Sequence, residues 1–133
     1  MTGLDTSVLV RYLTQDDAAQ ARRANALLAD AAAKGERCFI GKVVLCELAW
    51  VLRGAYGFDR VTIASTLERI LATAQLAFED KDVVRRAFED YRAGKADFAD
   101  YLIGHSGQAA GCAATATFDR RLKGNKVFQI LAA

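Results

Sequence analysis

Apolar residues recur at helical spacing in three stretches: Ala24, Leu27, Leu28 and Ala31; Ile63, Leu67, Ile70 and Leu71; and Val84, Ala87, Phe88 and Tyr91. Positions three and four apart share one face of an α-helix, so each set predicts an amphipathic helix with that face inward. Asp16 or Asp17 stands where the first helix would begin, and Asp59 and Asp80 where the other two would. Gly35 and Gly94 follow the ends of the first and third. Acids suit orphan amides at helix starts, and glycine suits the left-handed turn that often closes a helix. A further apolar helix is predicted over Val43 to Leu52, and another from Asp97 through Tyr101, Leu102 and Ile103.

Short apolar segments lie between these helices: Cys38 to Ile40, Leu76 to Phe78, Cys112 to Phe118 and Val127 to Leu131. They suit buried strands, with Leu4 belonging to a fifth, very short one. Strands separated by helices imply parallel pairing through right-handed crossovers. The expected class is therefore α/β, three layers with helices on both sides of a central parallel sheet of four to five strands. An all-α arrangement is the competing expectation from the alanine-rich composition.

The chain has 133 residues, no proline, no Gly/Ser-rich or charged linker and no repeat, so one domain over 1–133 is expected. An apolar content of 53% with 26% charged residues suits a globular protein. The formal charge of +2 is too small to argue for nucleic acid without a basic face. Cys38, Cys46 and Cys112 are odd in number, widely spaced and set among apolar neighbours, which reads as buried, reduced thiols in the cytoplasm. The longest apolar stretch, Val43 to Leu52, is interrupted by Glu47, so neither a signal peptide nor a membrane span is expected.

The candidate chemistry lies in five carboxylates at or beside the ends of apolar runs: Asp5, Glu47, Asp97, Asp100 and Asp119. In parallel sheets ligands collect beyond the carboxyl ends of strands, which is where Asp5 and Asp119 would stand. Glu47 sits within an apolar helix beside its inward stripe, a costly place for a lone acid unless something cationic answers it. Asp97 and Asp100, three apart, share one side of a first helical turn. Oxygen-only ligands select hard cations, and magnesium or manganese would leave positions for water and phosphate. Any one of these acids could instead be a helix cap or a solvated surface group.

The segments Gly3-Leu4-Asp5-Thr6-Ser7-Val8-Leu9-Val10-Arg11-Tyr12-Leu13, Glu47-Leu48, Asp97-Phe98-Ala99-Asp100-Tyr101-Leu102-Ile103 and Thr117-Phe118-Asp119 resemble, in order and spacing, the PIN-domain toxins of VapC type. That resemblance implies an α/β/α sandwich, Mg2+- or Mn2+-dependent endoribonuclease activity, a homodimer and inhibition by a small cognate antitoxin. It assigns Asp5, Glu47 and Asp100 to the core acids, Asp119 to a more variable fourth, and Asp97 to an acid found in a subgroup. It makes Asp5, Asp100, Glu47 and Asp119 the metal ligands, supported by Thr6, Ser7 and Thr117. Ser7 departs from the family, which more often has Asn there, keeping a hydrogen-bonding group of shorter reach.

Other residues carry weaker signals. His105 has no second histidine or nearby cysteine, so zinc is not expected. Ser106 and Thr117 lack a poised base, and Thr117 reads as a residue that orients an acid. Gly104, Gly107 and Gly111 fall within a helical segment, which suits close packing and not a dinucleotide loop. Arg11, Arg22, Arg23, Arg53, Arg120, Arg121, Lys123 and Lys126 could contact phosphate, although solvated surface groups are the plainer reading of each. Tyr12, Trp50, Tyr56 and Phe58 suit a core or an interface. The rival functions are a non-catalytic PIN-like module that binds RNA or protein, and a haloacid-dehalogenase-type phosphatase. The phosphatase reading lacks the second Asp that Ser7 replaces.

Overall fold

The first strand, β1, spans only Thr2–Gly3. It leads through buried Leu4 into two helices, α1 over Thr6–Thr14 and α2 over Ala18–Ala33. These are followed by β2 (Cys38–Ile40), α3 (Lys42–Gly54), α4 (Arg60–Leu71) and β3 (Leu76–Phe78). A computed structural model describes all residues, 1–133, and the chain falls into two compact units, Met1–Glu79 and Asp80–Ala133. The second unit holds α5 (Lys81–Ala93), α6 (Phe98–Ala109), β4 (Thr115–Thr117), one turn of 3-10 helix at Arg120–Leu122 and β5 (Phe128–Ile130).

In the first unit β1, β2 and β3 form a parallel sheet in that order, with Thr2 opposite Cys38 and Cys38 opposite Leu76. The chain returns between neighbouring strands through α1–α2 and then α3–α4, which is what parallel pairing demands. Leu9, Ile40, Leu45, Leu48, Leu52, Leu67 and Ile70 are fully buried here. Each such side chain contributes on the order of 1.5–3 kcal/mol by leaving water. Asp17 and Asp59 cap α2 and α4, accepting hydrogen bonds from the Gln20 and Thr62 amides at 2.9 and 2.8 Å. Both roles agree with the sequence.

In the second unit β4 and β5 form a parallel pair, with Thr115 opposite Phe128. Helices α5 and α6 bury Val84, Phe88, Phe98 and Leu102, and Tyr91 meets Phe98 edge-on at 5.9 Å. Gly104 and Gly107 bring α6 close to the strands. A Cβ on Gly104 would lie 2.5 Å from Phe128 Cζ and 2.8 Å from Val127 Cγ2, and one on Gly107 would lie 2.6 Å from Thr115 Oγ1. Gly111 differs from the packing expectation: nothing lies near it, and its φ of +100° is a conformation that glycine adopts without strain.

His105 is buried, with Nε2 2.6 Å from Asp90 Oδ2, and the Asn125 side-chain amide donates to the same oxygen at 2.9 Å. Buried His105 thus joins a polar cluster with half-buried Asp90 and Asn125, a structural role as expected of a lone histidine.

The α/β class and parallel pairing agree with the sequence, whereas the single central sheet of four to five strands is corrected to a three-stranded sheet and a two-stranded one. The strands are two or three residues long, so each makes few ladder bonds. The segment Cys112 to Phe118 shortens to Thr115–Thr117, and Leu4 follows β1, donating its amide to Phe39 O at 2.9 Å. Of the three cysteines, none in a disulfide, Cys38 is buried as expected, Cys46 is partly so and Cys112 is exposed.

Candidate metal centre

Asp5 follows β1 and Leu4 and stands at the N-cap position of α1 in extended conformation. Its carboxylate accepts a hydrogen bond from Ser7 Oγ at 2.9 Å, so the shorter side chain at position 7 still engages the acid. The buried Thr6, first residue of α1, donates from Oγ1 to Glu47 Oε1 on α3 at 2.7 Å. The two hydroxyls thus hold two carboxylates, and Asp5 and Glu47 line one pocket with Val10, Arg11 and Tyr56. Glu47 is exposed, contrary to the expectation of a desolvated acid. The buried stripe of α3 is Leu45, Leu48, Ala49 and Leu52, and Glu47 falls off its edge. Asp5 is exposed as well.

Arg11 is held from three sides at the rim of this pocket. Its Nε donates to Gln20 Oε1 at 2.7 Å, and its Nη1 to Tyr56 Oη at 2.9 Å and Asp16 Oδ1 at 3.2 Å. Tyr56 Oη donates in turn to Asp16 Oδ2 at 2.6 Å. Hydrogen bonds from Thr14 and Tyr56 hold the Asp16 carboxyl below the usual carboxylate range.

The second unit gathers Asp97, Asp100 and Asp119 about the guanidinium of Arg121. Asp97 is the N-cap residue of α6 and Asp100 its third residue. The Asp97 amide donates to Asp100 Oδ2 at 3.0 Å, fixing that carboxylate against the helix start. Asp119 follows β4 and Phe118, and its backbone amide donates to Thr117 Oγ1 at 3.1 Å, a bond to the main chain and not to the carboxylate. Arg121 forms a fork on Asp119, with Nε 3.1 Å from both carboxylate oxygens and Nη2 2.7 Å from Oδ2. The same Nη2 lies 3.5 Å from Asp100 Oδ2, and Nη1 lies 4.0 Å from Asp97 Oδ1.

Beside one guanidinium, two of these acids shift in opposite directions. Arg121 holds the Asp119 carboxyl below the ordinary range through its side-chain and backbone N–H groups. Burial is the largest influence on Asp100 and raises its carboxyl above that range, outweighing the hydrogen bond from the Asp97 amide and the more distant Arg121. At Asp100 the expected cost of desolvation is realised.

All candidate donors are carboxylate or hydroxyl oxygens, which fits a hard divalent cation. As the side chains stand, no group of three or more His, Cys, Asp or Glu residues is arranged to hold a metal ion directly. Asp97, Asp100 and Asp119 converge on a cation, and that cation is Arg121. The sequence marked Arg121 only as a phosphate contact. The Asp-x-Arg spacing at 119–121 was its visible signal, while the sharing with Asp97 and Asp100 arises only when α6 and the turn after β4 come together.

Residues 4–126 match the PIN domain, so the chain belongs to the PIN-domain family. It is 28% identical over 120 residues to a VapC ribonuclease of Aquifex aeolicus (strain VF5), a match that covers 90% of this chain and 88% of the relative. No solved structure matches the chain significantly. No helix is long and apolar enough to cross a membrane.

Proposed function

We propose that the protein is a Mg2+- or Mn2+-dependent endoribonuclease, the toxin of a toxin–antitoxin pair, with Asp5, Glu47, Asp100 and Asp119 as metal ligands and Asp97 assisting. The observation that carries this reading is the convergence of Asp97, Asp100 and Asp119 on one cation at the start of α6 in a PIN domain. The similarity to a VapC ribonuclease supports RNA as the substrate.

A bound divalent cation would supply the acidity that makes a hydroxide from water and the charge that neutralises a phosphoryl oxygen. The chain's own residues prepare for it. Thr6 and Ser7 orient Glu47 and Asp5, the Asp97 amide orients Asp100, and Thr117 anchors the backbone of Asp119. Partial burial of Asp100 strengthens its attraction to a cation, because less water competes for the carboxylate.

Under the same reading the protein acts in the cytoplasm, forms a homodimer and is inhibited by a small cognate antitoxin. The exposed Val43 and Trp50 of α3, 71% and 55% accessible, supply apolar surface suited to a partner. The deciding experiment is RNA cleavage by the antitoxin-free protein with magnesium or manganese, alongside a chelator control and Asp100→Asn. Cleavage should require the metal and fall by more than about a hundredfold in the variant, beyond the loss usual for residues that only support a metal ligand. Wild-type cleavage by Asp100→Asn would remove Asp100 from the mechanism, and RNA binding without cleavage under either metal would favour a binding module.

A further inference from the structure

The Arg121 guanidinium uses the donor geometry that a metal ligand needs free. Asp119 Oδ1 accepts from the Arg121 amide at 2.9 Å and from Nε at 3.1 Å, while Oδ2 accepts from Nε and, at 2.7 Å, from Nη2. Both oxygens of Asp119 are therefore directed at one residue. A fork of this kind is specific to arginine, since a planar guanidinium matches the two carboxylate oxygens and an ammonium does not.

Magnesium demands near-ideal octahedral geometry from its ligands, and the two Asp119 oxygens already accept two N–H contacts each from Arg121, so a cation must displace at least one of them to reach a lone pair. The Arg121 side chain is 48% accessible and so can move into water; its side-chain hydrogen bonds go to Asp119, and Asp100 faces it as an ion pair at 3.5 Å. Its contacts to Asp100 and Asp97 are longer than the fork on Asp119, so the three acids are held unequally.

We propose that Arg121 is an internal competitor for the divalent cation, a positioning residue that keeps Asp119 turned away from metal coordination until its fork opens. The inference rests on the metal-nuclease reading. It makes the strength of the Arg121–Asp119 fork a determinant of the metal concentration at which the acids fill. Arg121 is thereby a tuning residue, distinct from the ligands themselves.

The test is Mn2+ affinity of the full chain without RNA, followed by calorimetry and by electron paramagnetic resonance of free Mn2+. The proteins compared are the wild type, Arg121→Gln, Arg121→Lys and Asp100→Asn, each first checked for a single cooperative melting transition. Arg121→Gln should bind Mn2+ about two- to fivefold more tightly, the upper part of the range expected from losing one partly exposed ion pair. Arg121→Lys, which keeps the charge and lacks the fork, should recover most of that gain. Equal or weaker binding by Arg121→Gln would overturn the proposal. So would tighter binding by Arg121→Gln with wild-type affinity in Arg121→Lys, since net charge and not the fork would then be responsible. Wild-type Mn2+ affinity in Asp100→Asn would instead count against the underlying metal assignment.

Discussion

Replacing Gly104 with alanine tests whether the packing of α6 sets the position of the acids at its start. The added Cβ would meet Phe128 Cζ at 2.5 Å, Phe128 Cε2 at 2.6 Å and Val127 Cγ2 at 2.8 Å. Carbon atoms rest at about 3.5–4.0 Å, so helix and strand must separate by roughly 1 Å or the side chains must rearrange. The Phe128 ring can yield at its far end, but buried Val127 beside it cannot yield in the same direction without disturbing the start of β5. Overpacking of this kind costs about 1–3 kcal/mol, and alanine returns up to about 1 kcal/mol through its better helix propensity. The expected net loss is about 1–2 kcal/mol, or a melting temperature lower by about 3–10 °C for a chain of this size. Asp100 lies four residues earlier on the same face of α6, so the displacement should also reach the site. Misplacement on the scale of 1 Å can cost about a hundredfold in rate. Thermal unfolding and RNA cleavage, measured well below the transition, are the two assays. A variant that melts within about 1 °C of wild type would refute the claim that this contact is tight. One that is destabilised but cleaves normally would refute the link from packing to site.

Two further perturbations separate orientation from charge. Thr6→Val removes the hydroxyl that Glu47 accepts from while nearly preserving shape. Because Glu47 is exposed and water can replace the bond, stability should fall by no more than about 1 kcal/mol while metal-dependent cleavage drops about tenfold, and unchanged cleavage would show that Glu47 needs no such tether. For Asp100 the carboxyl is raised in the folded protein, so the folded state holds its proton at pH values where the unfolded chain has lost it. This residue therefore costs stability as pH rises through its folded value, and the cost disappears below the unfolded value. Asp100→Asn should raise the melting temperature at neutral pH and lose that advantage on acidification, and a gain of equal size at both ends of the pH range would exclude the burial explanation.

The parts of the fold readable from sequence were those with a local cause. Cys38–Ile40 and Leu76–Phe78 are strands because short apolar runs lie between capped helices, and Asp17 and Asp59 cap because their side chains reach amides three residues on. The partition into two sheets was hidden, since a two-residue strand such as β1 has almost no pattern and its ladder is decided by distant partners. Glu47 was misplaced by the width of the apolar stripe on α3, where a small angular offset separates a buried face from an exposed one. Its tether to Thr6 spans 41 positions and has no local signature. The capping arrangement of Asp97 and Asp100 was legible as a three-residue spacing, while the arrangement of Arg121 among three acids required the tertiary structure.

The cluster of half-buried Asp90 and Asn125 about buried His105 bears on how this chain can change over time. One carboxylate oxygen answers both partners, and losing Asp90 would leave buried His105 Nε2 without its bond and remove one bond from the half-buried Asn125 amide. Loss of Asp90 should therefore be harmful while His105 is present and much less so once His105 is replaced by an apolar residue of similar volume. The three positions, spread over α5, α6 and the loop before β5, are therefore expected to behave as one heritable unit, with the effect of a mutation at any of them depending on which residues already occupy the others.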